Sequence, residues 1–412
     1  MKVACVGAGP AGLYLSVLLK LRDPAHDITI YERRQPSSVP GWGVTFGRPL
    51  LARLNELDPE SATRIGEAAL FWEDQVVCIR GAEVHGAEVT DPLAGSYNIS
   101  RRSMLDILSA RARELGVRIE YGREIRSPSE LPDADLIVAA DGVGSQLREE
   151  AGSFGTQDSW GRNKYIWLGA DKAFEAFSFF FVPTPSGWIW AHAYGIDPGT
   201  STFIVGCTPE TWADLGFDAL PTDDALPVLE KLFSEHLAGH RLLGDLGDGT
   251  KARWLNFRTV SNERWHSGNV VLAGDSARTL HFTIGMGTTL ALQDVIALAD
   301  SLQQHADLET ALQSYEARRR AEILPVLTEA RCSARWFENI SRYIDLQPRH
   351  FGALLHSRRS PITAAWPPRL SCLMLQAASR ISIVNVIRAW AAAAANAMSR
   401  RRHVAREHRR PA

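Results

Sequence analysis

The chain has 412 residues, 45% of them hydrophobic and 22% charged, with a formal charge of -2. That length exceeds what one core usually fills, so two domains with interleaved segments are expected, and the near-neutral balance carries no electrostatic footprint for a nucleic acid. The five cysteines (Cys5, Cys78, Cys207, Cys332, Cys372) are scattered, without a CxxC pair or a His at metal-ligand spacing, which argues against a disulfide framework or a zinc site and fits a reducing cytoplasm.

In chain order, residues 2–6 (KVACV) read as a buried strand, GAGPAG as a tight turn and AGLYLSVLLKL as a helix with apolar residues at i, i+3 and i+4. The early glycines and the single Lys ahead of the apolar run do not make a signal peptide. DITIYER supplies a second strand ending at Glu32, and Pro36, Pro40 and GWGV mark an irregular connection. SRRSMLDILSARAREL reads as an amphipathic helix with Ser100 as cap, followed by the strands VRIEYG and DADLIVAAD. From about residue 156 the segments KYIWLGA, AFSFFFVP, GWIWAHAYGI and STFIVGC predict an antiparallel, aromatic sheet. A helix at DALPVLEKLFSEHL and a strand near RWLNFRTV follow. GNVVLAGDSARTLHFTIGMGTTLALQDVIALADSL then returns to strand, loop and long helix, so the chain comes back to its first domain. Helices continue to about residue 340. The run ISIVNVIRAWAAAAANAM is broken by Asn385, Arg388 and Asn396, short of the roughly 20 apolar residues a membrane span needs. From Ser399 the tail holds six Arg and one Glu, the composition of a solvated end.

Three segments carry the chemistry. Gly7, Gly9 and Gly12 form GxGxxG between strand and helix, where glycine permits the tight turn, the approach of backbone to a pyrophosphate and close helix packing. Glu32 stands about 20 residues on, at a strand end, where a carboxylate can accept a ribose hydroxyl; this favours FAD or NAD over NADP at that site. Asp141-Gly142 and Gly274-Asp275 each end a predicted strand. Alone, either dipeptide is an ordinary turn, but at two strand ends in a GxGxxG chain they point to FAD.

The combination of GAGPAG, Glu32, ISRRSM, AADGVGS and LAGDSARTLHFTIGMGTT resembles the single-component flavin aromatic hydroxylases, the group of para-hydroxybenzoate hydroxylase, over residues 1 to about 340. Within that group GWGVTF, GRNKYIW, STFIV and HFTIGMGTT are similar to the violacein-pathway hydroxylases of a tryptophan-derived bisindole and to the salicylyl-CoA 5-hydroxylases.

The resemblance implies an α/β fold: a Rossmann-type FAD-binding domain (residues 1–75, 100–155 and 262–345), an inserted antiparallel substrate domain (76–99 and 156–261) and a C-terminal helical segment with a basic tail (346–412). It implies noncovalent FAD, with NADH or NADPH as co-substrate and dioxygen added by the reduced flavin, through a C4a-hydroperoxide, to an electron-rich ring. It puts Gly7, Gly9, Gly12, Glu32 and Arg33 on the ADP half, and Arg101 near phosphates and ribityl. Asp141 goes to the pyrophosphate and nicotinamide, Asp275 to the ribityl chain, and Gly285 and Gly287 to the isoalloxazine ring, with Trp42 and Gly43 beside it. Arg278 stands where the family commonly has His, and Phe282 where a proline usually abuts the flavin.

By period two, Phe177, Phe179 and Phe181 share one face of a strand, and Trp188, Trp190, His192 and Tyr194 one face of the next. Such a wall suits a planar substrate, with Phe179, Trp190, Tyr194 and Phe282 lining it; core packing reads the pattern equally well. His281, between the GD motif and GMG, is either a core histidine or, with His192, a catalytic group that orients substrate or takes a proton near neutral pH. Gly41 and Gly43 are hinges for a moving ring or a rigid turn under Trp42. The expected function is monooxygenation of a tryptophan-derived aromatic compound (indole, kynurenine or anthranilate, or quinoline type) in secondary metabolism, by a cytoplasmic monomer or homodimer. The competing readings are an aryl-CoA hydroxylase, a reductase of isoprenoid double bonds, a flavin halogenase, an uncoupled flavin oxidase and a flavin-free binding protein of the Rab GDP-dissociation inhibitor kind.

Overall fold

The computed structural model describes residues 1–36, 41–85, 95–151, 154–246, 250–361, 366–375 and 377. Pro40, the apolar run from residue 381 and the basic tail lie outside them.

The strand Lys2–Val6 is the centre of a six-stranded sheet ordered His266–Ser267, Val270–Leu272, Leu136–Ala139, Lys2–Val6, Asp27–Glu32 and Arg118–Tyr121. All its pairings are parallel except that of the terminal His266–Ser267. Parallel strands covered on both faces need near-continuous apolar runs, and Val3 to Val6 and Leu136 to Ala139 supply them, fully buried. Helices Pro10–Arg22 and Gly287–Gln304 pack into the same core through Leu13, Val17, Leu292 and Val295. The expected return of the chain is therefore physical, because Val270–Leu272 pairs with Leu136–Ala139 and the helix after it lies on the first helix.

The second sheet has eight strands, ordered Leu242–Leu243, Gln157–Ala170, Ser201–Cys207, Gly187–Gly195, Phe177–Thr184, Gln75–Ile79 and Ala82–His85, with Leu255–Ser261 pairing the long Gln157–Ala170. It is antiparallel apart from the pairing of Phe177–Thr184 with Gln75–Ile79. Strict alternation gives it two faces. Phe180, Ile189, Ala191, Phe203 and Val205 point to helices Pro209–Asp214, Thr222–Leu232 and Ser234–Leu237. The last two divide at Phe233 what the sequence reads as one helix. Phe179, Phe181, Trp190 and Tyr165 point the other way, toward the C-terminal helices Leu308–Glu338 and Pro348–His356.

A third, three-stranded sheet joins Gly43–Gly47, Ser96–Ser100 and Leu70–Trp72, so the middle strand, expected almost wholly in the substrate domain, pairs on both sides with strands expected in the FAD-binding domain. No helix among the described residues is long and apolar enough to cross a membrane. The five cysteines are free and buried.

Candidate active site

The three signatures meet at the carboxyl ends of the central parallel strands, where open α/β sheets bind ligands. Gly7 takes a positive φ of 107°, and a Cβ there would lie 2.3 Å from the Ala140 carbonyl oxygen. Gly12 opens its helix with its Cα against the glycine turn: a Cβ would meet the Gly7 carbonyl oxygen at 2.1 Å. Helix Pro10–Arg22 has neither a side-chain cap nor an acid in its first turn. Its leading N–H groups and positive dipole end are therefore free for a pyrophosphate. Helix Gly287–Gln304 begins the same way, behind Gly285 at φ 65°.

Glu32 Oε2 accepts the Ala8 N–H at 2.8 Å and Oε1 the Arg34 N–H at 2.9 Å, so the carboxylate braces the glycine loop. Both oxygens keep lone pairs for the adjoining cavity of about 220 Å³, lined by Gly9, Glu32, Arg34, Arg101, Arg113 and Tyr121 among others. Arg33 turns away from that cavity to pair with Glu124 at 3.8 Å, and Arg34 lines it instead. Glu32→Ala is expected to weaken FAD binding by about 1.5–3 kcal/mol, the range for a hydrogen bond to a charged group. Titration of apoprotein with FAD checks this, and unchanged affinity would place the ribose elsewhere.

Arg101 starts its helix with its N–H on the Trp42 carbonyl at 2.9 Å. Its guanidinium is enclosed, with Nε unpartnered; burial lowers its pKa while Asp275 and Glu32 act to raise it. Ser100 precedes that helix without making the expected side-chain cap. Asp141 accepts the Gln146 N–H through Oδ2 at 3.0 Å and keeps Oδ1 enclosed without a partner; burial pushes its carboxyl pKa up. Asp275 is exposed at the end of its strand, and desolvation by the surrounding protein raises its pKa against the lowering effect of Arg278 and Arg101. Arg148 ties the two aspartate loops together by donating to the carbonyls of Val143 at 2.8 Å and Ser276 at 3.0 Å. An uncapped helix end, a guanidinium whose Nε is enclosed and unpartnered, and the carboxylates of Asp275 and Glu32 near it make a donor and acceptor set that fits the phosphates, ribose and ribityl of FAD.

The substitution at position 278 acquires a structural reason. Arg278 is buried and donates to the Gly274 carbonyl at 3.0 Å and to Asp294 at 2.8 Å. Asp294 also accepts from the Gly274 N–H at 3.1 Å and from Arg319 at 2.9 Å. The loop carrying Asp275 is held from below by one carboxylate shared between two guanidinium groups. Sequence reading did not single out Asp294 or Arg319; the signal was an acid in the apolar run of LALQDVIALA.

The aromatic wall is arranged in rows by strand register. Gly169, Thr202, Tyr194 and Phe177 form one row, Trp167, Ile204, His192 and Phe179 the next, and Tyr165, Gly206, Trp190 and Phe181 the third. The Trp42 ring lies on Gly169, where a Cβ would come within 2.6 Å of it, and Tyr194 donates its hydroxyl to the Gly43 carbonyl at 3.1 Å. Gly43 itself abuts Ile196, 2.2 Å from where its Cβ would be, so this glycine serves close approach. Phe282 covers the middle row, 4.6 Å from Trp167 and 5.8 Å from His192 by ring centroids. Phe179 stacks edgewise on His192 at 4.7 Å. Trp190, fully enclosed, lies under Phe337 at 5.6 Å. The wall therefore faces the loops 41–43 and 281–287 at one end and the C-terminal helices at the other.

Both histidines are held neutral by burial. His281 is brought down to about 3, and His192 well below its ordinary value with Arg358 and His281 adding to the effect. Neither is a group that titrates near pH 7.

Comparison with known proteins agrees with this assembly. A family profile described as FAD binding domain matches residues 106–330. The chain is 35% identical, over 82% of its length and 90% of the relative's, to the 3-hydroxy-4-methyl-anthranilyl-[aryl-carrier protein] 5-monooxygenase of Streptosporangium sibiricum. This chain belongs to the FAD-dependent aromatic hydroxylases. Among the other hydroxylases, the protodeoxyviolaceinate monooxygenase of Chromobacterium violaceum is 32% identical over 88% of this chain and 95% of that one. The salicyloyl-CoA 5-hydroxylase of a Streptomyces species is 36% identical over 84% of this chain, which spans 66% of that protein's length. Two solved structures share the fold. The tetrameric form of 2-methyl-3-hydroxypyridine-5-carboxylic acid oxygenase has a TM-score of 0.68 at 21% identity, covering 89% of this chain and 96% of that one. The ternary complex of aklavinone-11 hydroxylase with FAD and aklavinone has a TM-score of 0.59 at 21% identity, covering 80% and 68%. As a member, the hydroxylase takes FAD as cofactor, NAD(P)H as co-substrate, and dioxygen with an aromatic compound as substrates.

Proposed function

We propose that this hydroxylase oxygenates an electron-rich, planar ring of the anthranilate, kynurenine, indole or quinoline type, and that the ring rests on the middle row of the wall, beside Phe282. The observation that carries this reading is the composition of that row: Trp167, Ile204, His192 and Phe179 offer flat, uncharged surface with Phe282 across it. An aryl thioester is the second reading, favoured because two relatives carry names with a CoA or carrier-protein aryl group. The five free, buried cysteines suit a cytoplasmic setting.

FAD, when bound, supplies electron transfer from NAD(P)H and activation of dioxygen. Gly7, Gly9, Gly12, Glu32, Arg101, Asp141 and Asp275 hold it, and Gly287 offers a backbone N–H at its uncapped helix start, whereas the expected Gly285 N–H is taken by the Phe282 carbonyl at 2.9 Å. The wall, with Phe282 and Tyr194, orients the ring and excludes water, which guards the reactive oxygen from wasteful decay. His192 and His281, both neutral, take part as hydrogen-bonding groups.

The test is flavin reduction by NADH and by NADPH, with and without anthranilate, kynurenine, indole, a quinoline and an aryl-CoA. One of these compounds is expected to accelerate reduction and to emerge hydroxylated. If none does, the substrate reading falls. With the substrate in hand, His192→Ala should keep its flavin while peroxide rises as product falls. Trp190→Ala, removing a fully enclosed side chain, is expected to destabilise by about 3 kcal/mol or more. Tight coupling in the folded fraction of both variants would remove the wall from the substrate site.

A further inference from the structure

His281 is more than nine-tenths buried and sits at the inner end of a cleft of about 740 Å³, between strands Gln157–Ala170 and Leu255–Ser261 and helix Leu308–Glu338. Its Nδ1 lies 2.9 Å from the Thr283 hydroxyl, and that hydroxyl lies 2.8 Å from the hydroxyl of Ser333. Ser333, fully buried, accepts from Arg358 Nε at 3.2 Å. Arg358 reaches the same turn again by donating to the Thr283 carbonyl at 2.8 Å.

A guanidinium only donates. This sets the direction of the chain. With Arg358 donating into Ser333, the Ser333 proton has one hydroxyl to go to, Thr283 Oγ1. The Thr283 proton then has one acceptor in reach, Nδ1 of His281. Among the described residues no other partner competes for either hydroxyl. An imidazole that accepts at Nδ1 and is neutral carries its proton on Nε2. Nε2 makes no hydrogen bond to the protein and is not enclosed, so it is the nitrogen left for a ligand.

We propose that Thr283 and Ser333 are positioning residues: they relay the donor polarity of Arg358 to His281 and hold it as the Nε2–H tautomer, presenting a fixed hydrogen-bond donor to an acceptor oxygen of the bound substrate. The acceptor is a carbonyl or a phenolic oxygen on the ring system. The ligand contact rests on the reading above that His281 belongs to the working site; the tautomer does not. The consequence runs against a base role, since Nε2 already holds its proton and burial keeps the ring neutral down to about pH 3. His281 orients substrate rather than receiving the proton of the hydroxylated ring.

The experiment is 15N NMR of the FAD-loaded protein with labelled histidine, the His281 signals assigned by their loss in His281→Gln. The wild type is expected to show Nδ1 bare and Nε2 protonated. Thr283→Ser should keep that pattern, because the hydroxyl remains. Thr283→Val, of the same shape without the hydroxyl, should let the Nδ1–H form appear and raise KM for the aromatic substrate several-fold, with a smaller change in kcat. Ser333→Ala gives a second route, since the freed Thr283 hydroxyl can then accept from Nδ1–H. A protonated Nδ1 in the wild type, or an unchanged tautomer in both the Val and Ala variants, overturns the relay. A tautomer that moves while KM and kcat stay fixed overturns the ligand contact alone.

Discussion

Asp294→Ala is expected to cost about 3–5 kcal/mol of stability, the range for removing one partner of a buried ion pair. The carboxylate is fully enclosed and receives hydrogen bonds from Gly274 N–H, Arg278 and Arg319. Arg278 and Arg319 are themselves only 3% exposed, so the variant leaves Arg278 in the interior without its carboxylate and Arg319 with only Glu322, at the protein's edge, as counter-charge. Desolvation of an unpaired charge dominates the loss, because the substitution removes only the carboxylate and no apolar packing group. Asp294→Asn should lose less, since its amide oxygen still accepts while the charge is gone. The loop bearing Asp275 hangs on the same contacts, so flavin content should fall with stability. Denaturant unfolding of both variants, read alongside bound flavin, checks the order. An Ala variant within about 1 kcal/mol of the parent would mean that water reaches the two arginines.

Gly12→Ala should leave the protein largely without flavin. Alanine is the better helix former by about 1 kcal/mol, so intrinsic propensity predicts a gain. Packing reverses the sign: the new methyl would sit 2.1 Å from the Gly7 carbonyl oxygen, a backbone atom that no rotamer change can move aside. Overpacking of this kind costs about 1–3 kcal/mol or more and forces the helix start away from the first strand. The N–H groups then retreat from the pyrophosphate, and FAD affinity should drop by about tenfold or more, each decade being 1.4 kcal/mol. Gly9→Ala is the control. Its φ of -77° suits any residue, and its Cβ would meet only the Ala140 carbonyl, at 4.0 Å. That variant should keep its melting temperature and lose flavin through contact with the cofactor itself. Equal melting temperatures and equal flavin content in Gly12→Ala and the parent would refute the close-packing role.

Much of this was legible because it is local. The alternation of glycine turn, buried strand and helix is written in adjacent residues, and strand periodicity correctly separates Phe180 and Ala191 from Phe179 and His192. Other features had no local trace. Nothing near Arg33 and Arg34 says which will line the cavity beside Glu32 and which will pair with Glu124, since that depends on a turn about 90 residues away in sequence. Trp190 and His192 look equivalent in GWIWAHAY, and Phe337, from a helix near the far end of the described chain, packs on both at 5.6 and 5.2 Å, while Phe282 comes within 5.8 Å of His192. Glycines 43, 169 and 206 each admit a side chain from a distant segment, Ile196, Trp42 and Trp190 respectively.

By itself the sequence determined the cofactor class and the sheet that binds it, because a strand, a glycine turn and a carboxylate at the right separation create that site within one βαβ unit. It also determined which residues share a face of the second sheet, because the period of two is a property of the backbone. Only the tertiary structure decided what each face meets. It set Arg278 and Arg319 on a common carboxylate, tied the two aspartate loops through Arg148, and gave His281 a hydrogen-bonded chain ending at Arg358. These are pairings between segments separated in the sequence, and their energies come from burial and directed hydrogen bonds that exist only once those segments have packed together.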